Sequence, residues 1–353
     1  MKMNPFKKSL TLLLALLLAL SLAGCGRKAE EPGETTQPEA EEPVAPEEVP
    51  ADVDIGGTIV RLAALKGPTA MGVVRMVDTA EVSSLGPYFD FTLAGAADEV
   101  TPALIKGELD MACVPANLAS VLYNKTEGQI VTLAVNTLGV IYIVENGDAV
   151  QSMADLKGQT IVAAGKGSTP EYALRYLLAK NGVDPDADVT IDWKSEHSEC
   201  VAALAAGSAT IALLPQPFVT VAQGKIDGLR IALDLTEEWD ALDSGSGLIT
   251  GVVVARRDFV EEHPAVVEAV LEQYGMSVDW ANENPADAAQ SIVGYGILED
   301  AAVAEKALPY CNIVCITGEE MQEKLSGYLQ VLFDAEPASV GGKLPGDDFY
   351  YGA

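Results

Sequence analysis

Four short stretches combine residue types that could hold a small polar molecule. The turn 66-KGPT-69 offers Lys66 as a cation, Gly67 for close backbone approach, Pro68 to fix the bend and Thr69 as a hydroxyl. Its counterpart 165-GKGSTP-170 repeats the pattern with Lys166, Gly167, Ser168 and Thr169. Each follows an apolar run and precedes a helical pattern, so each should present the unsatisfied amides of a helix start, which attract anionic or strongly polar groups. In 113-CVPANLAS-120, a strand ends at Pro115, Ala116 follows, and Asn117 could aim its amide at the cleft. In 213-LLPQPFVTV-221, Gln216 stands between Pro215 and Pro217, and a glutamine both donates and accepts.

Catalytic chemistry has little to work with. The chain has two histidines. His197, in 193-WKSEHSEC-200, has Glu196, Glu199 and Cys200 nearby, but a metal would need three or four converging ligands. That segment reads as the polar entry to a helix, with Trp193 on the core or against a ligand. His263 lies in a surface helix start. G-x-S-x-G, H-E-x-x-H, Walker and dinucleotide fingerprints are all missing from the sequence, so it calls for no catalytic residue, no metal and no cofactor.

The elements that must position these loops alternate. From Ile55 onward, short β-branched runs alternate with helical patterns, the signature of βαβ units. Strands are expected at 57–65, 89–94, 109–114, 131–136, 139–145, 159–164, 188–193, 209–215, 229–235 and 248–256. Helices are expected at 70–78, 101–107 with Thr101 as cap and Pro102 as first residue, 116–123, 169–180 and 198–206, then in a largely helical tail. The expected fold is α/β: two αβ lobes with mainly parallel sheets joined by two crossover segments. One lobe is built from 55–143 and 248–353, the other from 144–247, with a cleft between.

The N-terminal 1–24 places Lys2, Lys7 and Lys8 before an apolar run and small residues, which is an export signal too short for a comfortable membrane span. Leu22 to Cys25 matches a bacterial lipobox, in which Cys25 carries a diacylglycerol and tethers the protein outside the cell membrane. Residues 25–54 form an acidic Pro/Glu-rich linker without enough apolar surface to fold. The formal charge of −30 leaves the folded part near about −25, which disfavours nucleic acid and anionic lipid as partners. Cys113, Cys200, Cys311 and Cys315 fit no zinc spacing and are expected as buried free thiols, although Cys311 and Cys315 could pair if their segment curls.

These stretches carry a resemblance. KGPTAMG, 97-ADEVTPALIKGELDMACVPANLASVL-122, DLKG at 155–158, GSTPEYAL, LPQPFV and ARRDFVEEHPAVVEAVL at 255–271 together resemble the solute-binding lipoproteins of ABC importers, over nearly all of 55–353. The branch it looks like is the sulfonate, nitrate and thiamine-pyrimidine type of type II periplasmic-binding fold. The resemblance implies a monomer whose lobes close on one small solute and present it to a membrane permease, with contacts from the four loops above. It does not imply a particular solute, and no arginine clamp stands at any of the loops. Two other classes stay open: an enzyme on the same fold, like the thiamine-pyrimidine synthases, and a sensor for a membrane receptor.

Overall fold

The computed structural model describes residues 57–80 and 86–353. The expected signal peptide, the lipobox at Cys25 and the acidic linker lie outside the described residues.

Eleven strands are formed among the described residues: β1 Ile59–Leu65, β2 Tyr88–Ala94, β3 Met111–Pro115, β4 Ile130–Leu138, β5 Ile141–Glu145, β6 Thr160–Ala164, β7 Thr190–Lys194, β8 Ile211–Pro215, β9 Arg230–Asp234, β10 Ile249–Arg256 and β11 Ile313–Ile316. They make two sheets, ordered β11-β4-β10-β3-β1-β2 and β7-β6-β8-β5-β9. The fold is α/β, as expected. Each sheet has a parallel portion, β2-β1-β3 in one and β7-β6-β8 in the other. Each is completed through antiparallel pairings: β10 between β3 and β4, with β11 on β4, in the first, and β5 between β8 and β9 in the second. The sheets are therefore mixed rather than mainly parallel. The reversed strands are β10 and β5, on which the chain arrives from the other sheet, and each runs against both of its neighbours.

Sequence pattern tracks burial. β3, β4 and β10 are almost continuously apolar and buried, as strands covered on both faces must be, whereas the edge strand β2 alternates exposed and half-buried residues. In β1, Val60, Leu62 and Ala64 pack into one core with Val74 and Val267, while Ala63 points into another. That second core runs between the sheets, joining Val252 and Leu329 to Ile143 and Leu213.

The chain passes between the sheets twice. The first passage, between β4 and β5, is only Gly139-Val140; β5 belongs wholly to the second sheet, so this passage precedes the expected 143/144 boundary. The second passage, from β9 to β10, carries the helix Leu235–Asp240 and buries Trp239 against Tyr176 and Tyr328, with ring centroids 4.7 and 5.5 Å apart. The Trp239 indole N–H donates to the Ser246 carbonyl at 2.9 Å.

Several local expectations are corrected. The helix expected at 70–78 is two pieces, Pro68–Met71 and Val74–Ala80. They break at Gly72, where a Cβ would stand 2.5 Å from the Tyr274 hydroxyl. The helix expected from Thr101 begins at Ala97, because the Glu99 carboxylate accepts from the amides of Gly95 and Ala96; Pro102 lies inside it. β11 was not expected as a sheet member. All four cysteines of the folded part are free, but Cys315, in β11, is only partly buried. Burial pushes the Cys113 and Cys200 thiols up to about 12 and that of Cys315 to about 11, which makes them inert at neutral pH.

Candidate functional site

At the carboxyl ends of the parallel strands, the loops of both sheets border one cavity of about 310 Å³. The first sheet contributes Leu65, Lys66, Pro68 and Thr69 after β1, Gly95 to Asp98 after β2, Pro115 after β3, and Thr250 of β10. The second contributes Ala164 to Ser168 and Pro170 after β6, excepting Gly167, then Lys194 to His197 after β7 and Pro215 after β8. The turns 66-KGPT-69 and 165-GKGSTP-170 therefore share a wall of the same space. This is where an open α/β sheet is expected to offer a ligand site.

Glycine is required where the first turn bends. Gly67 has φ 130°, a conformation side chains avoid, and the missing Cβ would lie 3.9 Å from the Phe218 ring. Gly167, at φ 77°, does the same in the second turn.

Of the thirteen residues that sequence reasoning singles out for ligand contact, Lys66, Pro68, Thr69, Ser168, Pro115 and Pro215 border the cavity, while Gly67, Ala116, Asn117, Gly167, Thr169, Gln216 and Pro217 do not. The hydroxyls turn back onto their own strand ends: Thr69 Oγ1 donates to the Leu65 carbonyl at 3.0 Å and Ser168 Oγ to the Gly165 carbonyl at 2.8 Å. Asn117 is fully buried. Its Nδ2 donates to the Ser339 carbonyl at 2.9 Å and, more weakly, to the Gly167 carbonyl at 3.4 Å, while its Oδ1 faces Thr169 Oγ1 at 3.4 Å. Gln216 is also buried, its Oε1 accepting from Thr220 Oγ1 at 2.8 Å and from the Thr220 amide at 3.3 Å.

The helix starts on the rim are partly occupied by the chain's own carboxylates. Glu99 closes the amides of Gly95 and Ala96, Glu171 Oε2 accepts from the Gly167 amide at 2.6 Å, and Glu199 Oε2 accepts from the Ser195 amide at 3.0 Å. Lys66 and Lys166 are exposed and enter no ion pair among the described residues, whereas Lys194 pairs with Asp192 at 2.9 Å. Asp98 and Glu196 add negative charge to the same wall.

Two lining residues leave polar atoms shut off from water with no partner among the described residues: His197 Nδ1 and Thr250 Oγ1. Burial drives the His197 pKa down to about 4, so the ring is neutral at physiological pH and stacks at 5.3 Å on Phe218. Sequence reasoning does not single out Thr250 or the Gly95–Asp98 stretch. The rule that ligands sit beyond strand ends points to the latter, since Gly95 directly follows β2. Among the described residues, no group of three or more His, Cys, Asp or Glu could hold a metal.

Two sheets crossed twice by the chain, with one cavity bordered by the strand-end loops of both, define a two-lobed solute-binding protein. A scan of family models matches residues 83–301 to "ABC transporter, phosphonate, periplasmic substrate-binding protein", and the chain belongs to that family. It is thus an ABC-type periplasmic substrate-binding protein, from a family of transport components rather than enzymes. Solved structures share the fold. An ABC transporter protein from Parabacteroides distasonis is 24% identical, with a TM-score of 0.67 over 83% of this chain and 98% of its own. The periplasmic aliphatic sulphonate binding protein SsuA from Escherichia coli is 17% identical, with a TM-score of 0.64 over 81% of this chain and 96% of its own. The periplasmic nitrate-binding protein NrtA from Synechocystis PCC 6803 is 16% identical, with a TM-score of 0.56 over 67% of this chain and 66% of its own. A search of curated proteins finds no match. Among the described residues no helix is long and apolar enough to cross a membrane.

Proposed function

We propose that this chain is a lipid-anchored receptor that captures one small polar or anionic organic solute in the cavity between the strand ends and delivers it to a membrane permease. The observation that carries this reading is the single cavity bordered by both 66-KGPT-69 and 165-GKGSTP-170. Its ligand set is the rim of Lys66, Pro68, Thr69, Pro115, Ser168 and Pro215, extended by Thr250 and His197. Gly67, Gly167, Ala116, Asn117, Thr169, Gln216 and Pro217 shape that rim from behind.

The lobes follow the sheets, about 55–143 with 248–353 against 144–247, with the first joint drawn back to Gly139-Val140. A solute that prefers the closed arrangement shifts the population toward it. Among sulfonates, phosphonates, nitrate-like ions and pyrimidines, the self-capped helix starts favour an organic solute over a bare inorganic ion, because three of the sites such an ion would use already hold Glu99, Glu171 and Glu199. Cys25 supplies the anchor, and the receptor acts as a monomer outside the cell membrane.

Native mass spectrometry of protein from its own cells, with titration calorimetry against alkylphosphonates, sulfonates, nitrate and pyrimidines, tests this. A 1:1 complex weakened by Lys66→Ala and by Lys166→Ala is expected; binding unchanged in both variants sinks the assignment of the cavity. A Cys25→Ala chain should leave the membrane fraction.

A further inference from the structure

Beside the cavity, β4 and β10 fall out of register twice in succession. Their pairing steps from Ile249–Leu138 to Gly251–Thr137 to Val252–Val135, so Thr250 of β10 and Asn136 of β4 each stand as an extra residue without a partner across the ladder. Bulges of this kind re-aim side chains and gather next to functional sites. Thr250 borders the cavity, whereas Asn136 is fully buried and does not. Next to Thr250 comes Gly251, whose φ is not positive, so the backbone does not call for glycine. Space does. A Cβ there would lie 2.5 Å from Asn136 Oδ1, 2.6 Å from Thr69 Cγ2 and 3.3 Å from Thr137 Oγ1. Thr69 and Asn136 are both buried, so neither can swing aside for it. Asn136 is held by Thr137, whose Oγ1 donates to its Oδ1 at 3.1 Å, and it also stands beside the hydroxyl of Tyr274. That hydroxyl fills the space left by the missing Cβ of Gly72, at the far end of the turn that Thr69 opens.

We propose that Asn136 and Gly251 are positioning residues of the solute site: Asn136 props the first turn from behind, and residue 251 lacks a side chain so that Thr69 can settle onto β10 where it borders the cavity. This rests on the reading of that cavity as the solute site. Solute affinity then depends on two residues that the solute does not meet. The arrangement is unfavourable in every other respect. Glycine weakens the interior of a strand, and Asn136 Nδ2 and Tyr274 Oη are buried with no partner among the described residues. An apolar residue at 136 and a β-branched one at 251 would suit a plain sheet better, as in the Val252–Val254 run that follows.

Hydrogen–deuterium exchange of the full chain without solute reads the turn directly, in peptides covering 66–76, where the Ala70 and Met76 amides are bonded. Calorimetry with methylphosphonate reads the site. Gly251→Ala should speed exchange in that segment and weaken methylphosphonate binding by about tenfold or more each, while β6 and β8 of the second sheet exchange as in the parent. Adding Thr69→Ser, which keeps the hydroxyl and removes the crowded methyl, should recover roughly threefold or more in both readings. Asn136→Ala, which opens space instead of filling it, should loosen the same segment by about threefold or more, and it decides the matter if Gly251→Ala does not fold. Exchange at 66–76 unchanged in either variant, or no recovery on adding Thr69→Ser, overturns the proposal. So does faster exchange with methylphosphonate affinity unchanged, which would reduce the pair to core packing. If the parent binds no methylphosphonate, the reading of the solute is at fault, and the exchange series alone upholds or overturns the positioning.

Discussion

Asn117 and Gln216 hold matching places in the two halves of the molecule, one residue or two beyond a proline that ends a central strand, yet they do different work. Asn117 reaches across: its amide bonds the 339 carbonyl and meets Gly167 and Thr169 at the start of the second block's first helix. The Gln216 side chain stays at home, its Oε1 accepting from Thr220 in the helix it precedes. The same chemistry in the same register thus becomes a strut between the halves in one case and a local cap in the other. The difference lies in what stands opposite. The short 3-10 helix Pro337–Val340 and the 165–169 turn meet Asn117, whereas Gln216 has its own helix above it.

That contrast can be broken by experiment. Replacing Asn117 by Ala should be the most damaging change, about 2–3 kcal/mol in chemical denaturation, because it strands buried partners on two separate segments. It should also widen the scattering radius of the solute-free protein, and an unaltered radius would remove the strut from the account. His197 adds a third case, a polar ring with one nitrogen bonded to nothing in the described structure. Its pKa, about 4 when folded against an ordinary 6.5, means that between those values the unfolded chain takes up a proton the folded one refuses. Stability from this source is complete above about pH 6.5 and declines as pH falls toward 4. In His197→Gln that decline should shrink by up to about 2 kcal/mol at pH 4, allowing for the ring's partial exposure, and parallel pH curves for the two proteins would refute it. Gln216→Ala should cost only about 1–1.5 kcal/mol and leave the scattering radius where it was. Smallest of all, Lys66→Ala should leave stability within about 0.5 kcal/mol while lowering affinity for an anionic solute, since the exposed Lys66 ammonium enters no ion pair among the described residues.

Much of the architecture was legible because central strands such as β3 and β10 are written as nearly unbroken apolar runs and edge strands such as β2 as alternating ones, and ten of the eleven strands overlap an expected span. β11, four residues long at a sheet edge within a helical tail, does not. The cavity was legible at the level of loops: both glycine turns reach it. It was not legible at the level of side chains, because composition reports that Thr69, Ser168, Asn117 and Gln216 can form hydrogen bonds but not to which partner. Each found one in the backbone or a neighbouring loop. The helix break at Gly72 likewise depends on Tyr274, two hundred residues downstream, and no local pattern encodes that encounter.

The carboxylates of Glu99, Glu171 and Glu199 have one more effect. A receptor outside the cell is bathed in chloride, sulfate and phosphate, any of which a bare helix end would welcome. Here those berths are filled by carboxylates tethered to the chain itself, which do not diffuse away. The empty receptor is in this sense already blocked against the commonest contaminants of its surroundings, and it keeps its vacancy for cargo that offers more than charge.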